Sequence, residues 1–391
     1  MRSLELFSGA GGLALGLHHA GFRPAALLER DRDSCESIRL NIRTGTAGIA
    51  GWNVWEGDVR NAVFSDFGEG IQFVSGGPPC QPFSLGGKHG AHGDPRDMFP
   101  QAVRAIRELR PLGFLFENVK GLLRDSFLPY FRYITLQLSH PEILPRDGWT
   151  WRDHLRALES YHVEGSRAGL EYAVEHALVN AADYGVPQMR HRVLIVGFRS
   201  DLGIRFAFPQ PTHSRDALFH AQFVDGTYWD EHRIPASLRP RPIAPGRGLR
   251  RAGLGIPGQG LRWRTVRDAI SGVPRGAGVR GGGHSGREAH REARAYKGHS
   301  GSALDAPSKA LKAGVHGVPG GENVVALDDG TLRYFTVRES ARIQTFPDSY
   351  LFHGSWSECM RQLGNAVPVE LARAIGGSIA ERLDPGGAPP G

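Results

Sequence analysis

Cysteine is scarce in this chain: only Cys35, Cys80 and Cys359 occur among 391 residues. They are odd in number and widely spaced, which excludes a disulfide framework and any Cys-x-x-Cys zinc site. A reducing, cytoplasmic setting and no bound metal are therefore expected. Long apolar runs are absent as well. No stretch approaches the roughly 18 apolar residues of a membrane span, so no membrane partner is expected. The first residues resemble a signal peptide only faintly, because Glu5 interrupts the apolar run and Gly9 to Gly12 read as a loop. Lysine is also rare: 42 of the 47 basic residues are arginine. No internal repeat is present.

What is there suits a soluble globular protein. Hydrophobic residues make up 40% of the chain and charged residues 22%. The length allows one large domain plus a smaller one. The net charge is +7, and it is unevenly placed. Asp201–Lys297 holds 17 Lys or Arg against 8 Asp or Glu, which leaves the rest of the chain slightly acidic. A basic segment beside an acidic body suggests that one region faces a polyanion, although composition alone does not decide it.

The first 200 residues alternate short apolar runs with amphipathic segments, the pattern of a parallel α/β sheet. Leu4–Phe7, Ala25–Glu29, Ile71–Ser75, Phe114–Glu117 and Val193–Gly197 read as buried strands. Leu13–Ala20, Ser34–Ile42 and Gln101–Leu109 carry helical spacing. Residues 209–290 are crowded with Pro, Gly and Arg, so short strands and loops are expected, with Arg275–Gly286 as a loop. Periodic order returns at Thr336–Thr345. A last helix is expected over Val369–Arg382, with Pro368 at its first turn, followed by an unstructured tail from Asp384.

Two segments carry chemistry. In Leu4-Glu-Leu-Phe-Ser-Gly-Ala-Gly-Gly12 a strand, a glycine turn and a helix follow one another, an arrangement that lets backbone approach a nucleotide-like ligand. Phe7, Ser8, Gly9, Gly11 and Gly12 are its candidate contacts. Glu29, at the end of the next strand, is placed to accept hydrogen bonds from a ribose, and Asp58 with its neighbour Val59 to meet an adenine. The second segment, Ser75-Gly-Gly-Pro-Pro-Cys-Gln-Pro-Phe-Ser84, follows a buried strand. Two prolines fix the backbone before Cys80 and remove two donors, which presents one thiol stiffly at the ligand-binding edge of the sheet.

With the segments that follow, these residues resemble the cytosine-C5 DNA methyltransferase family. Its blocks occur in order as Phe7-Ser-Gly-Ala-Gly-Gly12, Pro78-Pro-Cys-Gln81, Phe116-Glu-Asn-Val119, Gln188-Met-Arg-His-Arg192, Arg338-Glu-Ser-Ala-Arg342 with Gln344-Thr-Phe-Pro-Asp348, and Gly364-Asn-Ala-Val-Pro368. The resemblance runs from residue 4 to about 380. It implies an α/β, Rossmann-like S-adenosylmethionine-dependent methyltransferase domain with a smaller, irregular, strand-rich target-recognition domain. It also implies methyl transfer to C5 of a flipped-out cytosine in a specific double-stranded DNA sequence, with S-adenosyl-L-homocysteine as the product.

The chemistry explains why such residues are needed. Cytosine C5 is too electron-poor to attack a methyl sulfonium until a thiolate adds to C6. The resemblance gives that thiolate to Cys80, with Arg190 and Arg192 as candidates to help it ionise. Glu117 takes the role of protonating N3, Asn118 positions the loop around it, and Arg192 contacts the O2 edge of the base. Pro78, Met98, Asn365 and Ala366 join the cofactor set. The glycine-rich Ser84–Gly93 looks like the family's loop that closes over DNA. Ser84 and Lys88 there, with Arg262 and Arg264 in the Arg-rich segment, are the candidate DNA contacts.

Departures are Glu5 where relatives usually carry Asp, Arg30 where the adenine is usually covered by an apolar residue, and Ala310-Leu311 where relatives often carry Thr-Leu. The spacer from Gly121 to Gln188 is long, and Ser139–Trp151 matches no core block. The expected domains are 1–207 completed by 356–391, and 208–355, with DNA in the cleft between them. With no domain ahead of the first block, a stand-alone bacterial, nucleoid-associated modification enzyme is expected, with a cognate restriction endonuclease as a possible companion. Two rivals are an RNA-directed member of the same fold, whose Cys-Phe-Thr signature is absent, and a silent DNA-binding regulator, which intact Cys80, Glu117 and Arg192 argue against.

Overall fold

The structure, a computed structural model, describes residues 1–79, 97–164, 169–242, 260–272, 293, 300–313 and 323–384. Two compact units divide the chain: Met1–Val179, His191–Phe208 and Ala372–Gly391 form the first, Asn180–Arg190 and Pro209–Leu371 the second.

The first unit is built on a seven-stranded sheet. Its strands are β1 (Arg2–Leu6), β2 (Arg23–Glu29), β3 (Val54–Glu56), β4 (Phe73–Gly76), β5 (Gly113–Val119), β6 (Tyr172–Asn180) and, after β7 (Gln188–Met189) of the second unit, β8 (His191–Arg199). The spatial order is β3-β2-β1-β4-β5-β8-β6. The pairs from β3 to β5 are parallel, and β8 runs antiparallel to β5. The strands are apolar because both faces are covered: Leu4, Leu6, Phe73, Val74, Phe114, Phe116 and Ile195 are all fully buried. Helices α1 (Gly12–His19), α2 (Arg32–Arg43) and α3 (Phe99–Leu109) occupy the expected segments. The long spacer after Gly121 forms α4 (Leu128–Ser139), α5 (Trp151–Glu164) and β6.

The chain leaves β1 towards β2 and β3 on one side and later crosses to β4 on the other. Ligands of open α/β sheets bind at such a reversal, beyond the carboxyl ends of the strands. Register aligns those ends, with Leu6 opposite both Leu28 and Gly76, and Gly76 opposite Phe116.

Among the described residues, the strands of the second unit are two or three residues long: β7, β9 (His213–Ser214), β10 (Leu261–Arg262), β11 (Ser302–Ala303), β12 (Ser308–Lys309), β13 (Val324–Ala326) and β14 (Leu332–Tyr334). Helices α6 (Arg215–Phe223) and α7 (Thr227–Glu231) stand where the sequence suggested strands and loops. Ser214 caps α6 by accepting from Ala217 N at 3.1 Å, and Leu218 and Ala221 are the apolar positions buried on its inner side. They pack with Tyr228 and Trp229 into one small core, and Val266, Leu304, Val325, Phe335 and Ile343 build another. The helix Val337–Ile343 is capped by a Thr336/Glu339 box.

The unit boundaries differ from the domain boundaries expected from sequence. Residues 180–190 and 356–371 belong with the second unit. The reason lies in their hydrogen bonds: Gln188 Nε2 donates to Gln344 Oε1 at 3.0 Å, Gln344 Nε2 donates to the Leu363 carbonyl, and Glu370 N donates to Thr345 Oγ1 at 2.9 Å. The last helix, Val369–Leu383, is present as expected. Arg275–Gly286 and the tail beyond Asp384 lie outside the described residues, as do Cys80, Ser84, Lys88 and the rest of Ser84–Gly93. No helix of the described residues is long and apolar enough to cross a membrane.

Candidate active site

The glycine turn sits at the carboxyl end of β1. Phe7 leaves the strand at φ 55°, and Gly9 and Gly11 have φ of 53° and 80°. A side chain strains such a backbone, so the two glycines are needed and Phe7 stores strain at the start of the turn. Ser8 N donates to the Leu28 carbonyl at 3.1 Å and Gly11 N to the Ser8 carbonyl at 2.9 Å. Gly12 then opens α1. The Ser8 hydroxyl is buried and has no hydrogen-bond partner among the described residues. A hydroxyl left this way at a nucleotide-type turn fits a polar group supplied from outside the protein.

Glu29 closes the turn from the neighbouring strand. One carboxylate oxygen accepts from Gly9 N at 2.8 Å, and the other accepts from Arg30 N and Asp31 N, each at 2.8 Å. Asp58, two residues past β3, accepts from Arg60 Nε at 3.0 Å, and that contact holds its carboxyl down at about 2. Val59 is buried, and its carbonyl accepts from Arg104 Nη2 at 2.7 Å. Arg104 also lies over the Phe64 ring at 4.3 Å. No sequence motif marked Arg104, because its task is to fasten a backbone turn. Arg30 is exposed, and its charge also bears on Asp58.

Beneath the turn, Glu5 is almost fully buried. It accepts from Ala14 N at 3.1 Å and from Ser75 Oγ at 3.0 Å. Burial pushes its carboxyl up to about 8, against these hydrogen bonds, which lower it. The acid therefore bridges the first turn of α1 and the end of β4. Sequence reading noted Glu5 only as a departure from the family's usual Asp.

On the other side of the reversal, Gly77–Pro79 leave β4 beside the end of β5. Asn118 Nδ2 donates to the Pro78 carbonyl at 2.9 Å, and Asn118 Oδ1 accepts from Val119 N at 2.9 Å. Glu117 is 8% exposed, and a Cβ added to Gly77 would stand 3.4 Å from its Oε2. Arg192, at the start of β8, forms an ion pair with Glu117 through Nε and donates from Nη1 to the His191 carbonyl at 2.8 Å. Met98 is buried, and its N–H donates to the Pro79 carbonyl at 3.3 Å. The first unit thus brings Phe7–Gly12, Glu29, Asp58, Val59, Pro78, Met98, Glu117 and Arg192 to the same edge of the sheet.

The remaining candidates lie in the second unit. Arg190 is 1% exposed, and its guanidinium donates to the carbonyls of Leu311 (3.0 Å), Gly364 (2.6 Å) and Ala366 (3.1 Å). Its guanidinium is a clamp on backbone; Cys80, the thiol it was expected to serve, lies outside the described residues. Asn365 ends the helix Trp356–Asn365 and Ala366 follows as its C-cap. Gly364 is required where it stands, because an added Cβ would lie 2.4 Å from Ala313 N. Arg262, a candidate DNA contact, pairs with Asp268 at 2.8 Å and Glu231 at 2.6 Å and covers the Tyr228 ring at 5.0 Å. Arg264 is exposed and forms no ion pair among the described residues.

A strand, glycine turn and helix, an acid on the second strand and a Pro-Pro loop after the fourth are the parts of an α/β methyltransferase. S. pombe Dnmt2 methyltransferase, a solved structure, has the same fold at a TM-score of 0.56 and 18% identity, over 98% of this chain and 99% of that one. The fold is that of S-adenosylmethionine-dependent methyltransferases. A model of the C-5 cytosine-specific DNA methylase family matches residues 1–140 and 153–381, and the chain belongs to that family. Type II methyltransferase M.PspPI of Psychrobacter sp. is 32% identical over 97% of this chain and 79% of its own length. Type II methyltransferase M.NgoMIV of Neisseria gonorrhoeae is 31% identical over 97% of each chain.

Proposed function

We propose that this DNA cytosine-5 methyltransferase works through a covalent bond between Cys80 and C6 of a cytosine flipped out of double-stranded DNA. The observation that carries the reading is the fastening of the loop before Cys80 to the strand of Glu117, through the Asn118 side chain and the Pro78 carbonyl. The other two cysteines offer no nucleophile. Burial, followed by the nearby Glu29 charge, pushes the Cys35 thiol up to about 12, and Cys359 is buried with its thiol directed at the His353 and Gly354 carbonyls.

In the proposed sequence, the Cys80 thiolate adds to C6 while Glu117, which takes up a proton from solvent as the entering base separates it from Arg192, gives that proton or a strong hydrogen bond to N3. The electron pair arriving at C5 becomes able to take up a methyl group. Loss of the C5 proton to a base or water then allows the thiolate to leave, restoring the aromatic ring. S-adenosylmethionine supplies the methyl as an electrophile. Ser8, the N–H groups of the glycine turn, Glu29 and Asp58 would hold it, with Asn365 and Ala366 as further candidates. Arg192 serves the O2 edge of the base, and its present pairing with Glu117 keeps both groups at that place. The second unit, with Arg264, takes the role of reading the DNA, and Ser84 and Lys88 remain candidate contacts. As in the restriction-modification systems of the Type II relatives, a cognate endonuclease would be the companion protein.

The test uses DNA in which 5-fluorocytosine replaces cytosine. Fluorine cannot leave C5 as a proton does, so the wild type should form a denaturant-resistant adduct that peptide mapping places on Cys80. Cys80→Ala should form none and methylate no DNA, yet still bind S-adenosylmethionine. Turnover by Cys80→Ala, or an adduct on Cys35 or Cys359, would overturn the mechanism.

A further inference from the structure

The family model passes over residues 141–152, but these residues are built into the fold. Thr150 and Asp153 cap the start of α5 reciprocally. Thr150 N and Oγ1 donate to Asp153 Oδ2 at 3.0 and 2.6 Å, and Asp153 N donates back to Thr150 Oγ1 at 3.3 Å. That cap sets Trp151 at the first position of the helix. One turn on, His154 is 1% exposed. Its Nε2 meets the Ile143 carbonyl at 2.9 Å and its Nδ1 the Tyr133 hydroxyl at 2.9 Å. A carbonyl only accepts, so Nε2 carries the proton and a neutral ring takes the tyrosine proton on Nδ1. The insertion is thereby closed on α4.

Trp151 is the contact this arrangement delivers. It packs edge-on against Tyr130 at 5.5 Å and 83°, and tilted against Tyr133 at 5.7 Å. The Tyr130 hydroxyl donates to the Asp97 carboxylate, whose other oxygen accepts from Phe99 N at 3.2 Å. Asp97 adjoins Met98, whose N–H holds the Pro79 carbonyl. A run of contacts therefore leads from the insertion to the two ends, Pro79 and Asp97, of the segment that contains Cys80.

We propose that the 141–152 insertion, acting through Trp151 and Tyr130, is a brace that positions the ends of the nucleophile segment. Trp151 stops the Tyr130 ring from turning away, and Tyr130 fixes Asp97 against α3. These are positioning residues, and the proposal rests on the reading of Cys80 as the nucleophile. Attack on C6 depends on near-contact alignment, so a small displacement of the base of this segment lowers the chemical rate by far more than it weakens the cofactor contact expected of the adjoining Met98.

The full-length protein is tested as Tyr130→Phe, which removes one hydroxyl and keeps the ring, and as Trp151→Leu and Trp151→Phe. Single-turnover methyl transfer is followed with tritiated S-adenosylmethionine on unmethylated amplified genomic DNA, enzyme in excess, and S-adenosylmethionine affinity by calorimetry. Tyr130→Phe and Trp151→Leu should lose roughly 10- to 100-fold in single-turnover rate at saturating S-adenosylmethionine, with a much smaller change in cofactor affinity. Trp151→Phe, which restores an aromatic edge, should regain most of it. Wild-type rates in both damaging variants would overturn the brace, even if their melting temperatures fall. A parallel loss of cofactor affinity would also overturn it, because it would assign the residues to general folding. Failure of the wild type itself to form the 5-fluorocytosine adduct would instead sink the Cys80 reading beneath it.

Discussion

Glu117 and Arg192 pair across antiparallel strands, with Arg192 opposite Val119, two residues beyond the glutamate. Both side chains are close to nine-tenths buried. In the proposed mechanism an incoming base would enter this ion pair, Glu117 meeting N3 and Arg192 meeting O2.

Glu117→Gln keeps the shape but removes the transferable proton. It should lower the single-turnover rate by roughly 10²–10⁴-fold, as measured by rapid quench. Arg192→Ala leaves a buried carboxylate without its partner and should also destabilise the first unit by about 3–5 kcal/mol, read from urea unfolding. The double variant should recover stability and no activity. Equal single-turnover rates for Glu117→Gln and wild type would show that the glutamate has another role.

Arg190 makes the opposite prediction from the one its sequence position suggested. Its guanidinium serves three buried carbonyls, so Arg190→Ala should unfold or loosen the second unit, at a cost of several kcal/mol, about 3–5. Arg190→Lys should not rescue it, since an ammonium cannot reproduce the planar fork. Urea unfolding and proteolysis of the second unit would measure this. A stable Arg190→Ala protein with defective methyl transfer would restore the catalytic assignment.

Glu5 should give the protein a pH-dependent stability. Its folded value lies near 8, above the ordinary glutamate value of 4.5. Between those values the folded state holds a proton that the unfolded state has lost. Stability from this group is therefore complete below about pH 4.5 and falls as pH rises, by about 1.4 kcal/mol per unit at most, until about pH 8. Glu5→Gln mimics the neutral acid: its amide can donate to Ser75 and its oxygen can accept from Ala14. The gap in unfolding free energy between Glu5→Gln and wild type should widen in favour of the variant from pH 6 to pH 8. A gap independent of pH would show that Glu5 is ionised in the folded protein.

Much of this was legible because burial on both faces writes parallel strands as apolar runs. β1, β2, β4, β5 and β8 each stood out in that way, and the glycines of the first turn marked a close backbone approach, whose positive φ only the structure gives. The acid on β2 was also found, but its partners were not: Glu29 ties down Gly9, Arg30 and Asp31 with backbone contacts that have no residue-type signature. Tertiary pairing is what sequence conceals. Arg190 and Arg192 are two residues apart in one motif, yet the chain passes from β7 to β8 between them. One guanidinium turns to backbone carbonyls and the other to Glu117. α6 was missed for a related reason: five of its nine residues are apolar, yet Gln222 is buried beside Leu218 and Ala221, so the segment gives little periodic contrast. The 141–152 insertion has no block to match, and its contacts emerge only when Trp151 meets Tyr130.

Arg262 and Arg264 separate two meanings of a basic segment. They are two residues apart, but Arg262 is committed to Asp268 and Glu231, while Arg264 is exposed without an ion pair among the described residues. The charges of Arg264 and Arg262 both lower the pKa of His213, behind the larger effect of burial, so this shift does not separate them. What separates them is exposure: Arg264, without an ion pair among the described residues, is the one placed to meet a polyanion. Arg264→Ala should therefore weaken DNA binding. If it meets a phosphate, the loss should be uniform across sequences and the salt dependence should flatten by about one counterion. If it meets a base edge, the loss should be about 1–3 kcal/mol and confined to one position of the site. Arg262→Ala should do neither, and should instead lower the unfolding free energy, because Asp268, 13% exposed at its side chain, loses its guanidinium partner and keeps only Thr265 and His232. Anisotropy titrations of labelled duplexes at several salt concentrations, beside urea melts, distinguish the two. A flattened salt dependence in Arg262→Ala with wild-type stability would show that its two carboxylates give it up to DNA.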